Sequence, residues 1–125
     1  MSLKVRKLME EPGIDELEEG YSGVNTVWAV LKRDDITGFS SRIFRIDPGG
    51  HTPVHDHDRE HVAVVIRGNC RVENGSQVEE AGEGCIITIP SNVKHRFYNP
   101  SNERLVLLVM NLYVDNTFEG LNNGV

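Results

Sequence analysis

Short runs of β-branched and aromatic residues follow one another along this chain, separated by clusters of turn formers. The runs are "VNTVWAVL" (24–31), "FSSRIFRI" (39–46), "HVAVVIRG" (61–68), "CRVENG" (70–75), "GCIITIP" (84–90), "HRFYN" (95–99) and "RLVLLVMNLYV" (104–114). Between them stand "DPGG", "ENGS", "AGEG", "PSN" and "NPSNE", where Gly, Pro, Asn and Asp favour reversals of the backbone. The pattern predicts a strand for each run, with "DPGG" ending the second. "VENGSQV" predicts a hairpin turning at Asn74–Gly75. Helical patterning is confined to "SLKVRKLMEE" and "IDELEE", enough for a turn or two. Short strands at regular spacing, without crossover helices, predict an antiparallel all-β sandwich or barrel.

Period-2 alternation assigns faces to these strands. On 39–46, Ser40, Arg42, Phe44 and Ile46 share one side, predicted to be inner; Arg45 takes the other and is expected to be solvated. On 61–68, His61 shares its side with Ala63 and Val65, while Val62, Val64 and Ile66 take the opposite side. That strand is apolar on both faces, so its outer side should meet a second layer or a partner subunit.

Composition narrows the class. The 125 residues suit one domain, with its core at about 24–114. The formal charge is −6, and no basic stripe appears, which argues against nucleic-acid binding. The first residues contain no apolar signal region, and "LVLLVMNLYV" is too short to span a bilayer. A cytoplasmic location and no membrane partner are expected. Cys70 and Cys85 lie outside any CxxC pattern and are read as reduced thiols.

The chemistry concentrates in "HDHDREH" (55–61), which holds three of the five histidines. His51 precedes it and His95 opens a later strand. One reading is a solvated loop. A second is H-x-x-E-H, a zinc-peptidase motif that requires a helix; the upstream "PGGHTP" and the following "VAVVIRG" oppose a helix. A third is extended: His55 and His57 then project to one side, and a reversal at Asp58–Arg59 lets His61 face them.

At this point the sequence resembles the cupin family. "GGHTPVHDHDREHVAVVIRG" (49–68) is similar to the first cupin motif at Gly49, His55, His57 and Gly68, with His61 where most cupins carry a glutamate. "GCIITIPSNVKHRFYN" (84–99) is similar to the second motif at Gly84, Pro90, His95 and Asn99. Asn92 stands in place of a glycine, and asparagine tolerates the same left-handed conformation. The resemblance covers about residues 39–112. It implies a double-stranded β-helix, or jelly-roll barrel, with a short N-terminal extension. It also implies one divalent transition metal (Fe, Mn, Ni, Zn or Cu) held by His55, His57, His61 and His95, and a homodimer.

Four neutral imidazoles leave a dication its full charge, and an octahedral ion keeps two open positions. A tetrahedral zinc would instead be saturated and structural. Arg42 is the candidate for a substrate carboxylate. Phe97 shares parity with His95 and either walls the cavity or packs in the core. Asp47, Glu73 and Glu83 look like turn or edge residues, so no catalytic acid–base residue is assigned. Three functions remain open: a metal-dependent, dioxygenase-like enzyme on a small molecule; a non-redox isomerase, lyase or decarboxylase on a sugar or carboxylic acid; and a ligand-binding protein with a structural metal.

Overall fold

The computed structural model describes residues 3–30, 39–55 and 59–113, with the backbone alone at Val30, Arg59 and Tyr113. Among the described residues there are nine strands: β1 (Ile14–Asp15), β2 (Ser22–Val30), β3 (Phe39–His51), β4 (Arg59–Arg67), β5 (Cys70–Asn74), β6 (Gln77–Ala81), β7 (Ile86–Ile89), β8 (Arg96–Tyr98) and β9 (Leu105–Tyr113). All pairings are antiparallel, in the order β6-β5-β8-β3-β9-β4-β7, with β2 also on β3 and β1 on β2. The only helical element among the described residues is a 3-10 turn at Leu8–Glu10. The fold is therefore an all-β, nearly closed antiparallel barrel. No helix among the described residues is long and apolar enough to cross a membrane.

Strand register stacks the interior in rows. Ile46 pairs with Leu105; Phe44 with Leu107, and Leu107 with Val65; Arg42 with Val109, and Val109 with Ala63; Ser40 with Asn111, and Asn111 with His61. The first two rows are fully apolar and buried. Burying such side chains contributes about 1.5–3 kcal/mol each, which makes this end of the barrel its anchor. The last two rows introduce Arg42, Ser40, Asn111 and His61, so polarity rises toward the opposite end. The predicted inner faces of both strands are thus observed: Ala63 and Val65 are buried beside His61, and Ile66 is exposed.

Four local expectations are corrected. "DPGG" does not end its strand; β3 continues to His51, and a bulge sets Asp47–Gly50 opposite Gly23, where the missing N–H of Pro48 breaks no regular ladder. Asn74 belongs to β5 and pairs with Gln77, so the hairpin turns at Gly75–Ser76, with Gly75 at φ 68°. Ile14–Asp15, read as part of a helical turn, form β1 against Thr26 and Asn25. Arg45 is not solvated: it is 9% exposed, sealed beneath the N-terminal segment. Its guanidinium donates to Asn25 Oδ1 at 2.6 and 2.9 Å, to the Glu11 carbonyl at 2.8 Å and to the Leu8 carbonyl at 3.3 Å.

The punctuation of the two motifs is structural. Asn99 is completely buried, and its amide donates to the carbonyls of Ile46 and Glu103 at 2.9 and 2.7 Å. Its backbone N–H donates to the Gly50 carbonyl, and its own carbonyl accepts from Gly49 N–H. The two motifs are thereby stapled together at the strand junction. A side chain at Gly50 would meet the Ser22 carbonyl at 2.5 Å, so the close approach demands glycine. Asn92 takes φ 65°, the left-handed conformation expected of it.

Candidate functional site

Three of the four candidate ligands line one small cavity at the polar end of the barrel. His61 arrives on β4 and is 5% exposed. His95 immediately precedes β8 and is 6% exposed. His55 is exposed at the rim, where its backbone exchanges two hydrogen bonds with that of His95, at 2.9 and 3.1 Å. The rings of His61 and His95 lie 4.9 Å apart, tilted by 58°. His57, the fourth candidate, and its neighbours Asp56 and Asp58 lie outside the described residues. Among the described residues, no group of three His, Cys, Asp or Glu side chains is gathered tightly enough to hold a metal ion.

The donor chemistry nevertheless suits a metal. The His95 Nδ1 lies 2.9 Å from the Val93 carbonyl. A carbonyl only accepts, so Nδ1 carries the proton and Nε2 keeps its lone pair. Burial lowers the pKa of His95 from its ordinary value, opposed by the Val93 hydrogen bond and assisted by His55. Neutral imidazole with a fixed tautomer is the form that ligates, and a carbonyl on the second nitrogen is the usual support for it.

The cavity is about 30 Å³, room for one or two waters or the oxygen-bearing end of a ligand. Arg42 forms part of its wall, as its parity predicted. The guanidinium carbon lies 4.4 Å from the centre of the Phe44 ring and 5.3 Å from that of Trp28. Phe97 is both cavity wall and core: it is 2% exposed, and its ring meets His95 edge-on at 5.8 Å. Tyr21, which sequence reasoning missed, reaches the same wall from the segment before β2. It directly follows the acidic run "DELEEG" (15–20), and no periodicity marked it. Burial raises the pKa of its phenol, and the adjacent Arg42 charge pulls the other way. No carboxylate is found among the described residues lining this cavity.

The other candidates are placed elsewhere. Asp47 pairs with Arg104 at 3.2 Å and Glu73 with Arg96 at 2.8 Å, so both acids serve ion pairs away from the cavity. His51 ends β3 and pairs with Tyr98, outside the cavity lining. Cys70 is buried and free, Cys85 exposed and free. A larger cavity of about 290 Å³ lies between the β5–β6 hairpin and β7, lined by Val72, Gln77, Glu79, Ile87 and Val93. His95 belongs to the walls of both cavities.

A barrel of this topology with histidines gathered at one end defines a class, and comparison with known proteins agrees. Residues 42–111 match the Cupin domain family, and the chain belongs to it. The 1-methylthio-D-xylulose 5-phosphate methylsulfurylase of Rhodospirillum rubrum is 30% identical over 104 residues, covering 79% of this chain and 66% of that protein. The chain thus spans just under two thirds of that relative's length. A polyketide cyclase from Streptomyces resistomycificus superposes with a TM-score of 0.77 at 23% identity, covering 90% of this chain and 81% of that one. A cupin-like protein from Thermotoga maritima gives 0.78 at 22% identity, covering 86% and 83%. At these identities the two structures speak for the fold.

Proposed function

We propose that this cupin is a metal-dependent enzyme acting on a small, oxygen-rich or enolisable molecule. In this reading His55, His57, His61 and His95 hold one divalent transition metal (Fe, Mn, Ni, Zn or Cu), and Arg42 and Phe97 contact the substrate. The observation that carries it is the meeting of His55 and His61 from the first motif with His95 from the second, at one cavity shared with an arginine. When bound, the metal supplies Lewis acidity toward a carbonyl or enolate oxygen and orients the reactants.

The chain's own residues do the rest. His95 is held neutral by burial and aimed by Val93. Phe97 and Phe44 exclude water from the wall, and Arg42 supplies fixed positive charge. Since the described lining holds no carboxylate to shuttle protons, oxygen- or carbonyl-centred chemistry of a dioxygenase-like kind is favoured over acid–base isomerisation. The methylsulfurylase relative, named for a phosphorylated keto-sugar, supports an oxygen-rich substrate and keeps the non-redox alternative in play. The small volume of the cavity favours a second reading, a ligand-binding cupin with a saturated structural zinc.

Metal analysis of protein purified without chelator tests the proposal. Near-stoichiometric metal is expected, and His57→Ala and His95→Ala should each remove most of it. Unchanged stoichiometry in both variants overturns the ligand assignment. Bound iron, copper or manganese with oxygen uptake supports the first reading; a four-coordinate zinc with no exchangeable water supports the second.

A homodimer in the cytoplasm is also proposed. The outer sheet face sets Ile43, Leu108, Val64 and Ile86 side by side across β3, β9, β4 and β7, and Ile86 is 70% exposed. Contiguous apolar surface of this kind marks an interaction site.

A further inference from the structure

Arg42 is an unusual cation. Its Nε is buried and makes no hydrogen bond. Trp28 and Phe44 lie against the guanidinium, and aromatic rings attract a cation without satisfying an N–H. Among the described residues no carboxylate forms an ion pair with it. Leaving such a donor unmet is costly, more so when it is charged, and an anionic ligand would relieve that cost. Tyr21 stands beside Arg42 on the same cavity wall, close enough for the guanidinium charge to act on the phenol. A tyrosine hydroxyl can donate its O–H to an anionic group while its oxygen accepts from a neighbouring cation. Both residues line the cavity that holds His55, His61 and His95.

We infer that Arg42 and Tyr21 together form a receptor for a carboxylate on the substrate, placing the atoms next to that carboxylate against the histidines. The inference deepens the proposed function and shares its site. The chemistry common to possible ligands is an anionic oxygen group. A planar carboxylate fits best: a guanidinium edge binds it bidentately, the flanking rings confine ligands to a flat approach, and about 30 Å³ admits a carboxyl end more readily than a phosphate. Tyr21 adds selectivity, because its O–H donates to an anion and has nothing to gain from an alkyl group. The body of the substrate then extends out of this cavity.

The protein carries its own reporter. Trp28 is the single tryptophan of the chain, and it lies against Arg42. Its emission can be titrated with acetate, pyruvate, oxalate and inorganic phosphate. Both as-purified protein and protein stripped with phenanthroline and dialysed are used, because a carboxylate chelator would compete. A saturable change with at least one carboxylate is expected, with phosphate at least tenfold weaker. Arg42→Gln should weaken carboxylate binding at least tenfold, and Tyr21→Phe about three- to tenfold.

No saturable carboxylate response in either preparation overturns the inference. So does phosphate binding as tightly as any carboxylate, or an unchanged affinity in folded Arg42→Gln. Should Arg42→Gln fail to fold, Tyr21→Phe decides alone, since it removes one oxygen atom, and an unchanged affinity there overturns the receptor. Binding that persists in stripped protein sustains the inference even if the metal reading fails. Stoichiometric metal without any carboxylate response sinks the inference and leaves the metal reading standing.

Discussion

Single residues carry much of what this barrel can be asked to show. Cys70 is 1% exposed, and burial pushes its thiol up to about 12. Cys85 is exposed. Iodoacetamide at neutral pH should therefore modify one thiol in the native protein and two after unfolding, as read by mass spectrometry. The same contrast has a thermodynamic side. The folded Cys70 thiol keeps its proton to about pH 12, while the unfolded chain releases it near its ordinary value of 9. Its contribution is thus complete below pH 9 and declines as pH rises toward 12, by about 1.4 kcal/mol per pH unit. Urea midpoints of the native protein and Cys70→Ala, compared at pH 7.5 and pH 10, should converge at the higher pH. Asn92 offers a backbone test at an exposed site. Asn92→Gly should leave stability within about 0.5 kcal/mol, and Asn92→Val should cost about 1–2 kcal/mol, because a β-branched residue resists φ 65°. The Asn92 conformation and the inward side of Arg42 were legible in the sequence, because turn chemistry and alternation are local. The place of Tyr21 in the cavity wall was not, because it depends on packing against β3, further along the chain.

At the scale of elements, the N-terminal segment differs most from what its sequence suggested. Exposed Leu3, Val5 and Met9 make it look loosely attached, yet hydrogen bonds pin it to the barrel. Arg45 reaches out from β3 and gathers Asn25, Leu8 and Glu11. Asn25 in turn donates to the Pro12 carbonyl and to Asp15. A Cβ at Gly13 would meet the Asn25 amide oxygen at 2.2 Å, so the segment passes too close for any other residue. Arg45→Ala should cost about 3 kcal/mol, since it removes charge-assisted hydrogen bonds and strands the Asn25 oxygen. Thermal melts give the loss, and limited proteolysis near residues 8–13 should show the segment released. An outward arginine reads as solvated wherever the covering chain comes from far away in sequence. The same reason explains β1: two residues become a strand only because β2 is already there to pair with them.

For the molecule as a whole, the all-β class and the two-faced character of β4 were legible. The cavities were not, since their sizes follow from packing between residues far apart in the chain. If the outer apolar row joins two copies, Ile86→Asp and Leu108→Asp should each shift the protein from dimer to monomer in light scattering, with the barrel intact by circular dichroism. β3 has a further consequence. It runs alongside β2 and β9 and then crosses to touch β8, so it belongs to both halves of the barrel. The halves share a beam and cannot part like the covers of a book. Amide protons along its middle should therefore exchange with deuterium only when the whole fold gives way, setting Arg42 on the slowest-breathing part of the protein.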